Sequence, residues 1–356
     1  SRAPEPFDRR LRLMERIRQQ LLRWYDDAAR DLPWRQTRDP YAIWVSEVML
    51  QQTRVETVIP YYQRFLQSFP TPEALAAADE DAVLSHWSGL GYYRRARLLH
   101  AGVREVVARY GGKVPEDAER RLSLPGVGRY TAGAIGSIAF DKEEPIVDGN
   151  VTRVLARVFR IRTPVGANET TRRLWELAER LVPGERPGEL NQALMELGAT
   201  VCAPKQPACD ACPIARACQA HQRGEVDALP IPKPRKAPSK VTLTAVVATS
   251  GRGASRRVWL TKTDQALFGG LWGVPMTEGE PREALRTAGV RARLRPDAIG
   301  KVEHTLTHRR MQIEVHRATG AKADASPARR GFKSDELDRV GTSTLTKKLL
   351  IVALKQ

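Results

Sequence analysis

All four cysteines of the 356-residue chain fall in one stretch, Cys202, Cys209, Cys212 and Cys218, with six, two and five residues between them. Four thiols in so short a loop are a ligand set for a single soft metal centre. Zinc accepts four thiolates as readily as an iron–sulfur cluster does, and catalytic redox use is a third option, so the spacing alone leaves the centre open. Upstream stand two carboxylates of different character. Glu47 lies in Tyr41-Ala-Ile-Trp-Val-Ser-Glu-Val-Met-Leu50, a helical pattern apolar on most sides. Burial there would make ionisation costly and raise the pKa, which suits a general acid near neutral pH. The same periodicity also fits a narrow wet stripe shared with Ser46. Asp148, in Pro145-Ile-Val-Asp-Gly-Asn-Val-Thr-Arg-Val154, precedes a helix, where N-capping is the commoner use of Asp or Asn.

Two turns carry further chemistry. Leu124-Pro125-Gly126-Val127-Gly128 lies between helical stretches. Its glycines permit a tight turn with uncovered N–H groups, and at the start of the next helix such groups can hold a phosphate oxygen. A helix–turn–helix with no ligand fits the pentapeptide equally well. Gly89-Leu-Gly-Tyr-Tyr93 places two aromatics before Arg94, Arg95 and Arg97. Aromatics beside cations can wedge between bases while the cations meet phosphates, although core filling is the more frequent fate of a tyrosine at a helix start.

The elements that must position these groups are mostly helical up to the cysteine loop. Apolar periodicity, prolines and caps predict helices over 8–30, 41–53, 60–68, 72–78, 80–87, 94–110, 151–158, 169–181 and 191–201, with helix, glycine hairpin and helix over 122–139. Residues 229–240 alternate four prolines with cations and read as an extended linker. Strands then fit 241–249, 258–263 and 311–316, and helices 281–288 and 344–353. The chain divides accordingly into a helical domain over 1–228, holding the metal loop at 202–218, a linker over 229–240, and an α+β domain over 241–356.

The formal charge of +17 is uneven. From Ile231 onward there are 25 Lys and Arg against 11 Asp and Glu, a balance of +14. A basic half suggests a polyanionic partner, nucleic acid first. No apolar run of membrane-spanning length is present, so no membrane partner is expected. Ser1 to Arg12 lacks the apolar core of a secretory signal. Thiols kept as metal ligands imply a reducing compartment, and a cytoplasmic protein, associated with the nucleoid in a bacterium, is expected.

Hairpin, aspartate and cysteine loop, in this order, resemble the helix-hairpin-helix DNA glycosylase superfamily, whose iron–sulfur loop has the same six, two and five spacing. Leu32-Pro-Trp-Arg35, Trp44-Val-Ser-Glu-Val-Met-Leu-Gln-Gln-Thr-Arg-Val55, Gly89-Leu-Gly-Tyr-Tyr93, Val147-Asp-Gly-Asn-Val151 and Asn191-Gln-Ala-Leu-Met-Glu-Leu-Gly198 make the chain similar, over about residues 30–220, to adenine DNA glycosylases of the MutY family. Relatives that also cut the backbone carry a lysine where this chain has Tyr130, and a phenol cannot form their Schiff base. The resemblance therefore implies a monofunctional enzyme. It releases adenine mispaired with 8-oxoguanine or guanine in double-stranded DNA, and works as a monomer with a 4Fe–4S cluster on the four cysteines.

The resemblance also implies roles. Glu47 protonates adenine at N7. Asp148 stabilises the sugar cation, as an ion or through a transient covalent adduct, with Tyr130 and Asn150 hydrogen-bonded to it. Asp148, beside helical N–H groups, is expected to be the charged partner. Trp34 and Arg35 line the adenine pocket, Gln52 and Thr53 approach the opposite base, and Tyr92 wedges into the duplex. Leu124, Gly126, Val127 and Gly128 meet the DNA backbone. The C-terminal domain resembles a Nudix fold, through Gly270-Leu-Trp-Gly-Val-Pro275 and Arg282-Glu-Ala-Leu-Arg-Thr-Ala-Gly-Val290. Arg286 and Thr287 stand where two metal-binding glutamates would be, so lesion recognition is expected in place of hydrolysis. Its recognition loop aligns with His304-Thr-Leu-Thr-His308, in which Leu306 and Thr307 replace the family's Phe and Ser and His308 remains. Three rivals stand beside this reading: an endonuclease III-like glycosylase-lyase, a non-catalytic lesion-binding protein and a nucleotide-pool hydrolase.

Overall fold

The computed structural model describes residues 6–233, 237–262, 268–306 and 308–354. The chain forms two compact units, 1–66 with 102–234, and 67–101 with 235–356. In chain order the helices up to the cysteine loop are α1 (Pro6–Ala28), α2 (Pro40–Leu50), α3 (Val55–Ser68), α4 (Pro72–Ala77), α5 (Glu80–His86), α6 (Arg94–Tyr110), α7 (Ala118–Leu122), α8 (Arg129–Phe140), α9 (Gly149–Val158), α10 (Asn168–Leu181) and α11 (Pro187–Thr200), and a short α12 (Gln219–Gln222) follows the last cysteine. No helix among the described residues is long and apolar enough to cross a membrane.

The first unit is built around two apolar elements, α2 and α8. Every residue of α2 from Tyr41 to Met49 is buried, so there is no wet stripe, and Ser46 returns its hydroxyl to the Ile43 carbonyl. Asp39 caps the helix by accepting from the Tyr41 N–H at 3.0 Å, with Pro40 in the first turn. Small residues let neighbours approach α8. A Cβ at Gly133 would lie 2.4 Å from the Pro145 carbonyl oxygen, and one at Gly188 of α11 would lie 2.4 Å from that of Ser137. Against this pair, α1, α9, α10 and α11 bury Ile17, Leu21, Val154, Leu155, Leu174, Leu181, Leu194 and Leu197 in one core. Leu229 belongs to that core as well. It shortens the linker expected over 229–240 from its first residue, and Ser239 already begins a strand.

Pro60 lies inside α3, which begins five residues before the expected start. Val58, Tyr62 and Phe65 supply a buried stripe that carries the helix through the proline.

In the second unit an eight-stranded mixed sheet is formed by β1 (Ser239–Ser250), β2 (Arg257–Lys262), β3 (Trp272–Gly273), β4 (Met276–Thr277), β5 (Val290–Leu294), β6 (Gly300–Thr305), β7 (Arg309–Ala323) and β8 (Arg329–Phe332), with α13 (Pro281–Thr287) and α14 (Thr344–Leu354). Its path runs β3-β2-β1-β7-β5, and β4, β6 and β8 join β1, β7 and β2. β1 and β7 pair in parallel from Ser239 opposite Arg309 to Thr249 opposite Thr319. Alternation sorts β1 between two cores. Ala245 and Val247 face Leu345 and Leu349 of α14, whereas Val246 and Ala248 face Ala284 and Leu285 of α13. Helices α4 and α5 and the start of α6, read from the sequence as part of the helical domain, pack in this unit instead. Polar side chains account for part of this: Trp272 Nε1 donates to Asp81 at 3.3 Å, and Lys262 pairs with Asp81 at 2.7 Å.

Close approach at Gly188 gives a first test. Gly188→Ala should cost about 1–3 kcal/mol, the usual penalty of overpacking. A urea midpoint unchanged from the parent would show that α8 and α11 have slack there.

Candidate active site and cysteine loop

Ten of the residues singled out in the sequence converge on one cavity of the first unit, of about 630 Å³: Trp34, Arg35, Glu47, Gln52, Thr53, Gly126, Gly128, Tyr130, Asp148 and Asn150 all line it. Glu47 comes from the middle of α2 and is 4% exposed. Burial pushes its carboxyl up to about 7; the Tyr130 hydroxyl opposes this, nearby Asp148 adds to it, and Arg35 pulls it down. Tyr130, in the first turn of α8, donates a short hydrogen bond to Glu47 Oε2. Burial, reinforced by that carboxylate, holds the phenol well above its usual range, so it remains a donor.

Asp148 is the N-cap of α9. Its Oδ1 accepts from the Val151 N–H at 2.7 Å and its Oδ2 from Asn150 Nδ2 at 3.2 Å. Capping and facing the cavity are thus compatible. Burial raises its pKa, against the Val151 and Asn150 N–H groups, the Asn150 amide and Arg153. The N–H donors therefore moderate the effect of burial without reversing it. One expectation needs correction here. Asn150 supports Asp148, but Tyr130 serves Glu47. Both Asp148 oxygens already have donors, whereas Glu47, deep in an apolar helix, takes the hydroxyl.

Asn150 is itself fixed from behind. Arg153 Nη2 donates to its Oδ1 at 2.8 Å and to the Gly198 carbonyl at 2.6 Å. Gly198 of α11 lies so close that a Cβ there would come within 2.6 Å of the Asn150 Cβ.

A third carboxylate, passed over in the sequence, organises the pocket's other wall. Glu196 is buried and accepts from Arg30 Nε at 2.7 Å and Arg35 Nη2 at 2.7 Å. Burial raises its pKa, but the two guanidinium groups prevail and hold it down at about 2. Its place in the Asn191–Gly198 motif, one residue after the apolar Met195, was the available signal. Arg35 also lies over the Tyr25 ring at 5.4 Å, and Trp34 packs edge-on against Tyr62 at 5.5 Å.

The remaining expected residues are placed differently. Leu124 and Val127 are buried, and their N–H groups bond the Arg121 and Leu124 carbonyls at 3.1 Å each. They hold the hairpin together and are not its outer surface. That surface is Gly126, with φ of +75°, and Gly128, the N-cap of α8, both exposed. Tyr92, 46% exposed with φ of +49°, stands on its turn in the second unit. Leu306 packs against the sheet core, and its N–H bonds the Arg309 carbonyl at 2.8 Å, so the β6–β7 hairpin folds this side chain inward instead of presenting it. Thr307 lies outside the described residues. His308 is exposed, and its carbonyl accepts from the Ser239 N–H at 3.1 Å.

Cys202, Cys209, Cys212 and Cys218 line a single cavity with Leu197, Val201 and Ile214. Burial pushes the Cys212 thiol up to about 11. Arg157, 1% exposed, donates to Cys202 Sγ at 3.2 Å and to the carbonyls of Ala203 at 2.8 Å and Leu229 at 2.8 Å. Among the described residues no group of three or more His, Cys, Asp or Glu is drawn together tightly enough to grip one metal ion. The four thiols stand around the walls of a shared space.

Comparison with known proteins fits this geometry. Residues 45–180 match the HhH-GPD superfamily of base excision DNA repair proteins, and residues 246–351 match a NUDIX domain. Among solved structures, a thermostable thymine-DNA glycosylase is 32% identical, with a TM-score of 0.54, covering 60% of this chain and 98% of its own. A non-covalent endonuclease III–DNA complex, 22% identical with a TM-score of 0.52, shares the fold. Over nearly the whole chain the likeness is narrower. Mouse adenine DNA glycosylase is 39% identical across 94% of this chain and 77% of its own, and the human protein 37% across 94% and 73%. The chain belongs to the adenine DNA glycosylase family.

Two tests follow from the pocket. Glu47 titrates near 7 when folded, against an ordinary value of 4.5. Its contribution is favourable below the unfolded value and is lost as pH rises through 7. Glu47→Gln should therefore leave stability nearly unchanged at pH 4 and raise it by about 3 kcal/mol at pH 8. Equal urea midpoints at pH 8 would mean that water reaches this carboxyl. Gly198→Ala should displace Asn150 and slow turnover by about tenfold or more, through misplacement at the site, while thermal unfolding moves only a few degrees.

Proposed function

We propose that this protein hydrolyses the N-glycosidic bond of adenine mispaired with 8-oxoguanine, and with guanine, in duplex DNA. What carries the reading is one cavity lined by a carboxyl held near 7 and a second carboxylate bonded to helical N–H groups. The adenine nucleotide leaves the stack and enters that cavity, at a cost of a few kcal/mol that a mispair lowers. Glu47 gives its proton to N7, which makes the base a competent leaving group. The C1′–N9 bond then breaks with its electron pair going to the base. Positive charge develops on the sugar, and Asp148 faces it. Water adds at C1′ and gives up a proton that restores the Glu47 carboxyl, leaving an abasic site and neutral adenine.

Tyr130 does two things. Its hydroxyl holds the Glu47 carboxyl in place, and, as a phenol where a lysine would make an imine, it confines the enzyme to hydrolysis. Trp34, Arg35 and the Arg30–Glu196 pair shape the wall that receives the base. Gln52 and Thr53 approach the base opposite. The exposed N–H groups of Gly126 and Gly128 at the start of α8 hold a phosphate, with the helix dipole in support. Tyr92 wedges into the duplex, and the basic C-terminal unit reads 8-oxoguanine, His308 taking part.

The cysteine loop holds a 4Fe–4S cluster. Thiols spread around one cavity suit a ligand larger than a single ion, and Arg157 offsets part of the thiolate charge. When bound, the cluster is structural: it fixes the loop between 202 and 218 and supplies no step of hydrolysis.

Single-turnover release of adenine from an A:8-oxoguanine duplex is the direct test. Glu47→Gln and Asp148→Asn should each lower the rate at least about 10²-fold, and borohydride should trap no covalent complex. A borohydride cross-link would point instead to a lyase, and undiminished rates in either variant would remove that carboxylate from the chemistry. Purified protein should carry about four irons per chain. One zinc in their place would overturn the cluster.

A further inference from the structure

The Gly89–Tyr93 turn is braced far beyond what a surface loop requires. Trp87 Nε1 donates to the Gly91 carbonyl at 3.2 Å. Arg95 lies over both the Trp87 ring, at 5.6 Å, and the Tyr92 ring, at 5.4 Å, and its Nη2 donates to the Gly91 carbonyl at 3.2 Å. Gly89, Gly91 and Tyr92 take positive φ of 109°, 73° and 49°. Two of these are glycines, for which such backbone is unstrained; Tyr92 is held there by its neighbours. The outcome is one exposed aromatic on a fixed turn, with its neighbour Tyr93 buried.

Tyr93 points the other way, into the second unit. Its hydroxyl accepts from the Gly89 N–H at 3.2 Å and donates to the Thr342 carbonyl at 3.1 Å. Ser88 Oγ reaches the same carbonyl at 3.2 Å. Thr342 is buried, forms a bridge with Trp272, and follows Gly341, whose carbonyl accepts from the Trp272 N–H at 2.9 Å. Trp272 closes the circuit through Nε1 to Asp81 of α5, which Lys262 of β2 also holds. Two glycines of the C-terminal part are closely approached on this face. A Cβ at Gly341 would lie 2.6 Å from that of Leu84, and one at Gly270 3.1 Å from Glu80 Oε1.

We infer that Tyr93 is a specificity-determining positioning residue: its hydroxyl pins the Tyr92 turn to the Thr342 carbonyl, so that the domain that reads the opposite base also sets where the wedge stands. The inference rests on the proposed roles of Tyr92 and of the C-terminal unit in reading 8-oxoguanine. Tyr93 touches neither base nor sugar in this scheme. It acts through the turn, and a wedge sprung from the reading domain inserts with full effect only where that domain has engaged its lesion.

Tyr93→Phe in the full chain keeps the ring and removes the pin. Amide hydrogen exchange should quicken both at residues 89–91 and at 342–343. Adenine release from A:8-oxoguanine should fall about three- to tenfold, the worth of a hydrogen bond or so, with release from A:G unchanged. Exchange that quickens in neither segment or only one, or an equal loss on both duplexes, would overturn the inference. If Tyr93→Phe does not fold, Asp81→Asn is measured in the same way: it keeps the shape and breaks the Lys262 pair, and is expected to shift exchange and discrimination in the same direction by a smaller factor. A parent chain that releases no adenine from either duplex would sink the proposed function alone, and exchange in the variant would still decide whether Tyr93 couples the two segments.

Discussion

The hydrogen bond from Tyr130 to Glu47 is where the constraints of this molecule meet. A carboxyl in the middle of an apolar helix is costly to ionise, and without a partner it would be a defect. One phenol, carried in by the first turn of α8, supplies the partner without supplying a charge. A cation in its place would pull the carboxyl back toward its ordinary range. The small residues of α8 let its neighbours close in on it, Gly133 lying under the Pro145 carbonyl, while Tyr130 reaches from its first turn to α2.

Asp148 obeys the opposite logic with the same ingredients. It too is largely buried, yet it sits at a helix start where N–H groups converge. Two carboxyls in one cavity thus differ in what surrounds them: one has a single neutral donor, the other a helix terminus and an amide. The second-layer contacts are asymmetric in the same way. Glu47 is backed by apolar side chains, whereas Asn150 is backed by Arg153 and by the bare backbone at Gly198.

Much of this could be read from the sequence, and the failures have physical causes. Glu47 stands out because its neighbours along the helix are apolar; Asp148 and Asn150 because they lie at a helix start; the cysteines because of spacing. Which carboxylate Tyr130 serves depends on the approach of two helices distant in sequence, and no local pattern reports that. Glu196 was hidden because its partners, Arg30 and Arg35, lie some 160 positions away. Leu124 and Val127 were taken with the hairpin they stabilise, since a motif does not say which of its residues face inward. In the C-terminal unit β1 was legible by its strand-forming residues and the first half of β7 by alternation, but β3, β4 and β8 are two to four residues each, and β6 interleaves its one buried apolar residue with charges. The packing of 67–101 against the sheet rests in part on backbone carbonyls and glycines, which carry no sequence signature of contact, and in part on Asp81, whose partners Lys262 and Trp272 lie more than 180 positions away.

Arg157 has a consequence for how the molecule is assembled. Its guanidinium is enclosed, and its partners are carbonyl oxygens and a sulfur drawn from the cysteine loop and from Leu229 beyond it. A helix of the central core thus carries a cation whose acceptors come from a stretch 45 to 72 positions further along the chain. Closure of the cysteine loop thus does two things at once: it shuts this cation away from solvent and supplies the acceptors that make its burial tolerable.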